Sequence, residues 1–200
     1  QAIRILDTED LHCLRKTREL CLKQQVHFSV EELLKQDITK REIAAILRCD
    51  FSLIISTYEM DLLKSIFKIN EKILYYLPFL FDEITESQQK KWQSFEDREH
   101  FVFIGNFFHK PNVDAVLTLK NKVWSAIRKQ LPKAEIRIYG AYVNQQIQEL
   151  HNKKEGFIVK GFVEDANEVV ENAKVVLAPL NYGAGIKGKL TEGCFVERQV

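Results

Sequence analysis

Short apolar runs alternate with longer amphipathic stretches along almost the whole chain, and this rhythm constrains the fold more than any single motif. The runs are AIRIL (2–6), FSLIIS (51–56), KILYYL (72–77), FVFIG (101–105), EIRIYG (135–140), FIVKG (157–161) and KVVLAPL (174–180). Between them, apolar residues recur at helical spacing over 9–25, 30–47, 58–67, 112–130, 143–153, 165–172 and 187–196. Strands that read as near-continuous apolar runs are covered on both faces, and helices between them supply the cover. The pattern therefore predicts an α/β chain with parallel sheets.

The balance of residues excludes several classes of protein. A chain with 46% hydrophobic and 28% charged residues is neither disordered nor fibrous. A formal net charge of +1 lacks the basic excess that gripping phosphate backbones requires, so no nucleic-acid partner is expected. Cys13, Cys21, Cys49 and Cys194 show neither CxxC spacing nor a histidine pattern suited to zinc. Reduced thiols in a cytosolic protein are the expectation. The longest apolar run, ILYYLPFLF (73–81), is interrupted by Pro78 and falls short of the ~20 residues that cross a bilayer. A first residue, Gln1, next to an apparent strand suggests a piece of something larger.

The polar stretch DEITESQQKKWQSFEDREH (82–100) interrupts the rhythm and reads as a linker or a short surface helix. Placing a boundary near residue 95 gives a first domain over 1–95 with three strands. The second, over 96–200, holds four.

Ligands of open parallel sheets bind beyond the carboxyl ends of the strands, at helix N-termini. That rule selects GNFFHKPN (105–112), GAYVN (140–144), GFVEDAN (161–167) and PLNYGAGIKGKLTEG (179–193). In the first, Gly105 turns the chain out of a strand, and Lys110 precedes a Pro111–Asn112 helix start. A diphosphate receptor and a solvated lysine both fit. In the last, Gly183, Gly185 and Gly188 permit close backbone approach, while Lys187 and Lys189 add charge. The spacing matches neither G-x-x-x-x-G-K-[ST] nor a first-strand G-x-G-x-x-G, so an anion cradle and a flexible turn both stand. Near the other end, Asp7, Asp10, His12 and Arg15 crowd one strand-to-helix junction, with Asp10 placed to cap the helix. No Ser-His-Asp order, metal cluster or D-x-D pair is present, and His27, His100, His109 and His151 are scattered.

In order and spacing, FIGNFFHKPNVDAV, IRKQLPKAEIRIYG and VKGFVEDANEVVENAKVVLAPLNYGAGIKGKLTEG resemble the C-terminal donor-binding domain of GT-B glycosyltransferases. The likeness is to the large retaining group labelled glycosyl transferases group 1. Upstream, ILDTEDLHCLRKTREL, LIISTYEMDLLKSIF and KILYYLP look like the second half of the same family's N-terminal domain. The resemblance implies two Rossmann-like doubly wound parallel sheets, both incomplete. Residues 1–95 would be acceptor-side material, and 96–200 the first part of the nucleotide-sugar domain. It implies that Gly105 and Lys110 approach the donor diphosphate. Gly183, Gly185, Ile186 and Lys187 would line the phosphate and sugar region, Glu192 would hold the ribose, Phe162 and Val163 would lie near the base, and His12 would face the cleft as the catalytic residue from the acceptor side.

Many relatives carry a second glutamate eight positions before the ribose one; Ala184 stands there in this chain, and GCFVERQV (193–200) departs from the family's usual continuation. The implied reaction is transfer of a sugar, with retention and without a metal, from a nucleoside diphosphate-sugar to a hydroxyl of a glycan, lipid or other acceptor. The nucleotide-sugar is a substrate, and no cofactor is implied. The expected location is cytoplasmic, with peripheral contact at the inner face of a membrane allowed through sequence preceding this chain. Two rival readings stand beside it: a truncated, non-catalytic nucleotide- or sugar-phosphate-binding remnant, and a dehydrogenase-like dinucleotide domain that lacks its G-x-G-x-x-G.

Overall fold

A computed structural model describes residues 2–83 and 85–186. All seven expected strands form: β1 Ile5–Thr8, β2 Phe51–Ile54, β3 Leu74–Tyr76, β4 Glu99–Ile104, β5 Ile136–Tyr139, β6 Phe157–Gly161 and β7 Ala173–Val176. They make two sheets, ordered β1-β2-β3 and β6-β5-β4-β7, and every pairing is parallel. Parallel neighbours cannot be joined by a tight turn, so the chain crosses over between them. The crossovers carry α1 His12–Gln24, α2 Val30–Lys35, α3 Asp37–Leu47 and α4 Thr57–Ser65 in the first sheet's half. In the second half they carry α6 Lys110–Thr118, α7 Trp124–Gln130, α8 Gln145–Gln148 and α9 Ala166–Glu171. The polar stretch 82–100 contributes one short helix, α5 Glu86–Gln89.

The chain divides into two compact units. One runs up to Phe81 and includes Tyr182–Ile186; the other is Asp82–Asn181. In the first unit Leu11, Leu14, Leu33, Ile46, Ile54 and Leu63 are fully buried in one cluster, joined by Ala184 of the glycine loop. Each such aliphatic side chain contributes about 1.5–3 kcal/mol by leaving water. The apolar periodicity over 30–47 predicts one helix, and the structure holds two. Gln36 adopts extended backbone between α2 and α3, and the buried Thr39 hydroxyl donates to the Leu33 carbonyl at 2.7 Å. A hydroxyl that satisfies the last turn of one helix from the first turn of the next stabilises the break.

In the second unit Phe103, Ile136, Ile138, Phe157 and Trp124 form the core. Trp124 meets Phe101 and Phe157 edge-on at 5.8 and 6.4 Å between centroids, and its indole N–H donates to the Glu155 carbonyl at 2.7 Å. The helix expected over 112–130 is interrupted by one π-turn at Leu119–Val123. That inserted residue re-phases the helix so that both Leu119 and Trp124 face inward. The expected strand 174–180 stops at Val176; after it Leu177 still donates to Val102, but Pro179 has no N–H to continue the ladder. The expected helix 143–153 is a single turn, capped by Asn144, whose Oδ1 accepts from the Ile147 N–H at 3.0 Å.

The loops leaving β4 and β5 touch through backbone. A Cβ added at Gly140 would stand 1.8 Å from the Gly105 carbonyl oxygen and 2.7 Å from the Phe107 ring. Gly140→Ala should therefore exceed ordinary overpacking, at about 3 kcal/mol, and lower Tm by on the order of 10 °C. Thermal unfolding followed by circular dichroism measures this, and an unchanged Tm would show that the two loops are not pressed together.

Candidate functional site

Strand order decides where a crevice opens. In the second unit the chain builds β4, adds β5 and β6 to one side, then places β7 on the other. The carboxyl edge between β4 and β7, where the strand order reverses, is a topological switch point. Gly105 and Lys110 lie on the β4 side of it. The Gly105 N–H donates to the Tyr139 carbonyl at 3.1 Å, and a Cβ at Gly105 would meet the Asn112 amide at 2.8 Å. Asn112, almost buried, donates to the Asn106 carbonyl at 2.8 Å, folding the loop against the start of α6. Lys110 is exposed in the first turn of α6, where the helix dipole favours an anion, although Pro111 has no N–H and the Asn112 N–H donates to the His109 carbonyl at 2.9 Å. On the β7 side, the Asn181 amide donates to Asp114 Oδ2 and Thr118 Oγ1, both at 2.7 Å, tying that segment to α6.

Phe162 and Val163 follow β6, the edge strand two places from β4. Phe162 is largely exposed and Val163 is half-buried. Sequence reasoning passed over two further aromatics on the same edge. Phe108, after β4, and Tyr142, after β5, stack at 4.0 Å with an 18° interplanar angle while both remain exposed. Tyr142 holds a φ of +59°, a conformation that non-glycine residues rarely adopt. The available signal was two aromatics in consecutive carboxyl-edge loops.

Gly183, Gly185 and Ile186 belong to the first unit, with His12. Lys187, Glu192 and the helix expected over 187–196 lie outside the described residues. Asp10 does not cap α1: its carboxylate takes Arg15 Nε at 2.6 Å, with His12 Nε2 3.6 Å away. The His12 side chain is 63% exposed, in keeping with a residue presented to solvent. The capping of α1 comes from distant carboxylates instead. Glu42 on α3 accepts the His12 and Cys13 N–H groups at 2.9 and 2.7 Å, and Glu59 on α4 accepts the Leu11 N–H at 3.2 Å.

Glu59 also accepts the Gly185 N–H, at 2.7 Å, through the same oxygen. Its other oxygen is buried and without a hydrogen-bond partner. The Gly183 carbonyl accepts from an Arg18 guanidinium N–H at 2.6 Å, and that guanidinium lies over the rings of Phe28 and Tyr58. Gly185 has φ +64°, and a Cβ there would come within 2.7 Å of the Glu9 carbonyl oxygen, so this position requires glycine. Burial pushes the Glu59 carboxyl above the usual carboxylate range, reinforced by Asp10, while the Gly185 and Leu11 N–H groups and Arg18 oppose the rise. Burial likewise raises the Cys13 thiol, which keeps it protonated and inert.

The two parallel sheets correspond to one family. Glycosyl transferases group 1 match residues 98–200, and the chain belongs to that family. Its fold is of the GT-B type, similar to S. aureus TarM in a variant solved with Fondaparinux, alpha-GlcNAc-glycerol and UDP. That likeness has a TM-score of 0.60 at 15% identity and covers 82% of this chain and 31% of TarM. A second TarM structure gives 0.58 at 16% identity with the same coverage. The chain thus spans about a third of the length of these solved proteins. No curated protein matches the sequence. Among the described residues, no helix is long and apolar enough to cross a membrane.

The Glu59 environment gives a pH signature. A carboxyl whose pKa is raised on folding contributes stability that is present below its ordinary value and is lost as pH rises through the raised one. Across the pH range above about 5, wild type should lose stability that Glu59→Gln keeps. Urea unfolding of both proteins across that range tests it; parallel pH profiles would show that Glu59 is not desolvated.

Proposed function

We propose that the chain forms part of a glycosyltransferase that moves a sugar from a nucleoside diphosphate-sugar to a hydroxyl acceptor, with retention and without a metal or cofactor. The observation that carries this reading is the switch point between β4 and β7, which sets Gly105 and the first turn of α6 at the carboxyl edge of a group 1 family sheet. Departure of the nucleoside diphosphate builds negative charge on the leaving oxygen. Lys110 and the positive end of the α6 dipole would stabilise that charge, which is the largest single lever such a site has. With no carboxylate nucleophile assigned, attack on the same face as the leaving group accounts for retention, the departing phosphate taking the acceptor proton. His12 serves on the acceptor side, and Phe162 and Val163 by the base; Lys187 and Glu192 keep their expected phosphate and ribose roles. The acceptor is a glycan, lipid or other hydroxyl compound, and the protein acts in the cytoplasm, with peripheral contact at a membrane's inner face.

UDP in the TarM complex makes uridine nucleotides the first probe. Isothermal titration with uridine, guanosine and adenosine diphosphate sugars should find one bound, and Lys110→Ala should weaken it about tenfold, as expected when one charge-assisted phosphate contact is lost. Binding without product in a sugar-transfer assay would support the non-catalytic remnant instead. Binding of NAD in place of every nucleotide-sugar would restore the dinucleotide reading.

A further inference from the structure

Ser56 and Glu59 stand at capping-box spacing at the start of α4, and the Ser56 hydroxyl accepts from the Glu59 N–H at 3.5 Å. In that motif the glutamate turns back onto the serine's own N–H. Here it turns away. A single oxygen takes the N–H of Leu11, at the head of α1, and the N–H of Gly185, in the glycine loop. The residue is 0% exposed, and its second oxygen is left buried and unpaired. Leaving a buried acceptor unsatisfied costs about 1–3 kcal/mol, and an apolar side chain would instead leave the Leu11 and Gly185 N–H groups without this acceptor. The carboxyl group thus serves one N–H on α1 and one in the glycine loop at the expense of its own second oxygen.

What the carboxylate does supply is a fixed direction for the loop. Gly185 is held by its N–H and Gly183 by its carbonyl, through Arg18 at 2.6 Å. Between them Ala184 is 7% exposed and packs into the core cluster of the first unit. Three successive residues are thus seated by an acceptor, an apolar contact and a donor, all from α1, α4 and their core. We propose that Glu59 is a positioning residue for the donor-binding loop: its acceptor oxygen sets the Gly185 peptide, and so the conformation in which the glycine loop meets a nucleoside diphosphate. The inference rests on the glycosyltransferase reading above and deepens it. Glu59 touches no donor atom; it acts through the backbone of Gly185.

Two variants separate reach from charge. Glu59→Gln keeps the length and one acceptor oxygen while removing the charge. Glu59→Asp keeps the charge while withdrawing the oxygens by one C–C bond from the Gly185 N–H. In both, hydrogen exchange at the Gly185 amide and titration with UDP, GDP and ADP are measured below the unfolding temperature. Glu59→Asp should speed Gly185 exchange about tenfold and weaken the nucleotide that wild type binds about tenfold, while Glu59→Gln stays within about twofold of wild type in both. A merely structural role would lower Tm in the aspartate variant and leave the dissociation constant where it was. Nucleotide affinity unchanged in Glu59→Asp, or a larger loss in Glu59→Gln than in Glu59→Asp, overturns the proposal. Wild type that binds none of the three nucleotides overturns the transferase reading and the link to the donor with it, and the exchange rates then report the seating of the loop alone.

Discussion

Parallel pairing is the constraint on which the rest depends. Once β4 pairs with β5 and β7 in the same direction, every connection must return across a face of the sheet. All the loops that leave the strands then gather at one edge, beside the helix N-termini. The order β6-β5-β4-β7 adds one reversal, which opens that edge between β4 and β7. Asn181 comes against α6 there, at Asp114 and Thr118, because of strand order, although it lies 67 and 63 residues further along the chain. The first unit's order, β1-β2-β3, advances without a reversal among the described strands. Its carboxyl edge is filled from within, by the loop Tyr182–Ile186 and the charged groups that hold it.

Those charged groups replace local chemistry with long-range chemistry. A helix begins with unpaired N–H groups, and a nearby Asp, Ser or Thr normally accepts them. In α1 the residue at that position is Leu11, and the adjacent Asp10 is engaged by Arg15 at 2.6 Å. Glu42 and Glu59 do the work from α3 and α4. The carboxylates favour the positive end of the α1 dipole, which offsets part of the cost of burying Glu59. Helices capped this way are also tied together, since α1 cannot shift along its axis without breaking bonds to both neighbours.

The fold was legible because its signal is local. Seven apolar runs became seven strands, since a run such as FVFIG suits burial on both sheet faces whatever surrounds it. Helix interruptions were less legible: the break at Gln36 depends on a Thr39 hydroxyl reaching Leu33, and the π-turn on where Trp124 finds its pocket. In the candidate site, Gly105 and Lys110 could be found because glycine after a strand and lysine at a helix start are neighbours in sequence. Glu42 and Glu59 could not, since their partners lie 30 and 48 residues away, with Gly185 126 away. Nothing in STYEMDLLKSIF distinguishes Glu59 from an ordinary first-turn glutamate.

The glycine loop shows how far a local reading can mislead about a group's availability. Alternating glycines suggested backbone N–H groups left bare for a phosphate. At Gly185 the physical reason for glycine is different: a Glu9 carbonyl 2.7 Å from where a Cβ would stand, and a φ of +64°. Its N–H is already taken by the Glu59 carboxyl group, at 2.7 Å. At this residue the loop's backbone donor is satisfied by the protein's own side chain. On the proposed reading, the second unit meets the donor diphosphate with Lys110 and the positive end of the α6 dipole at the switch point.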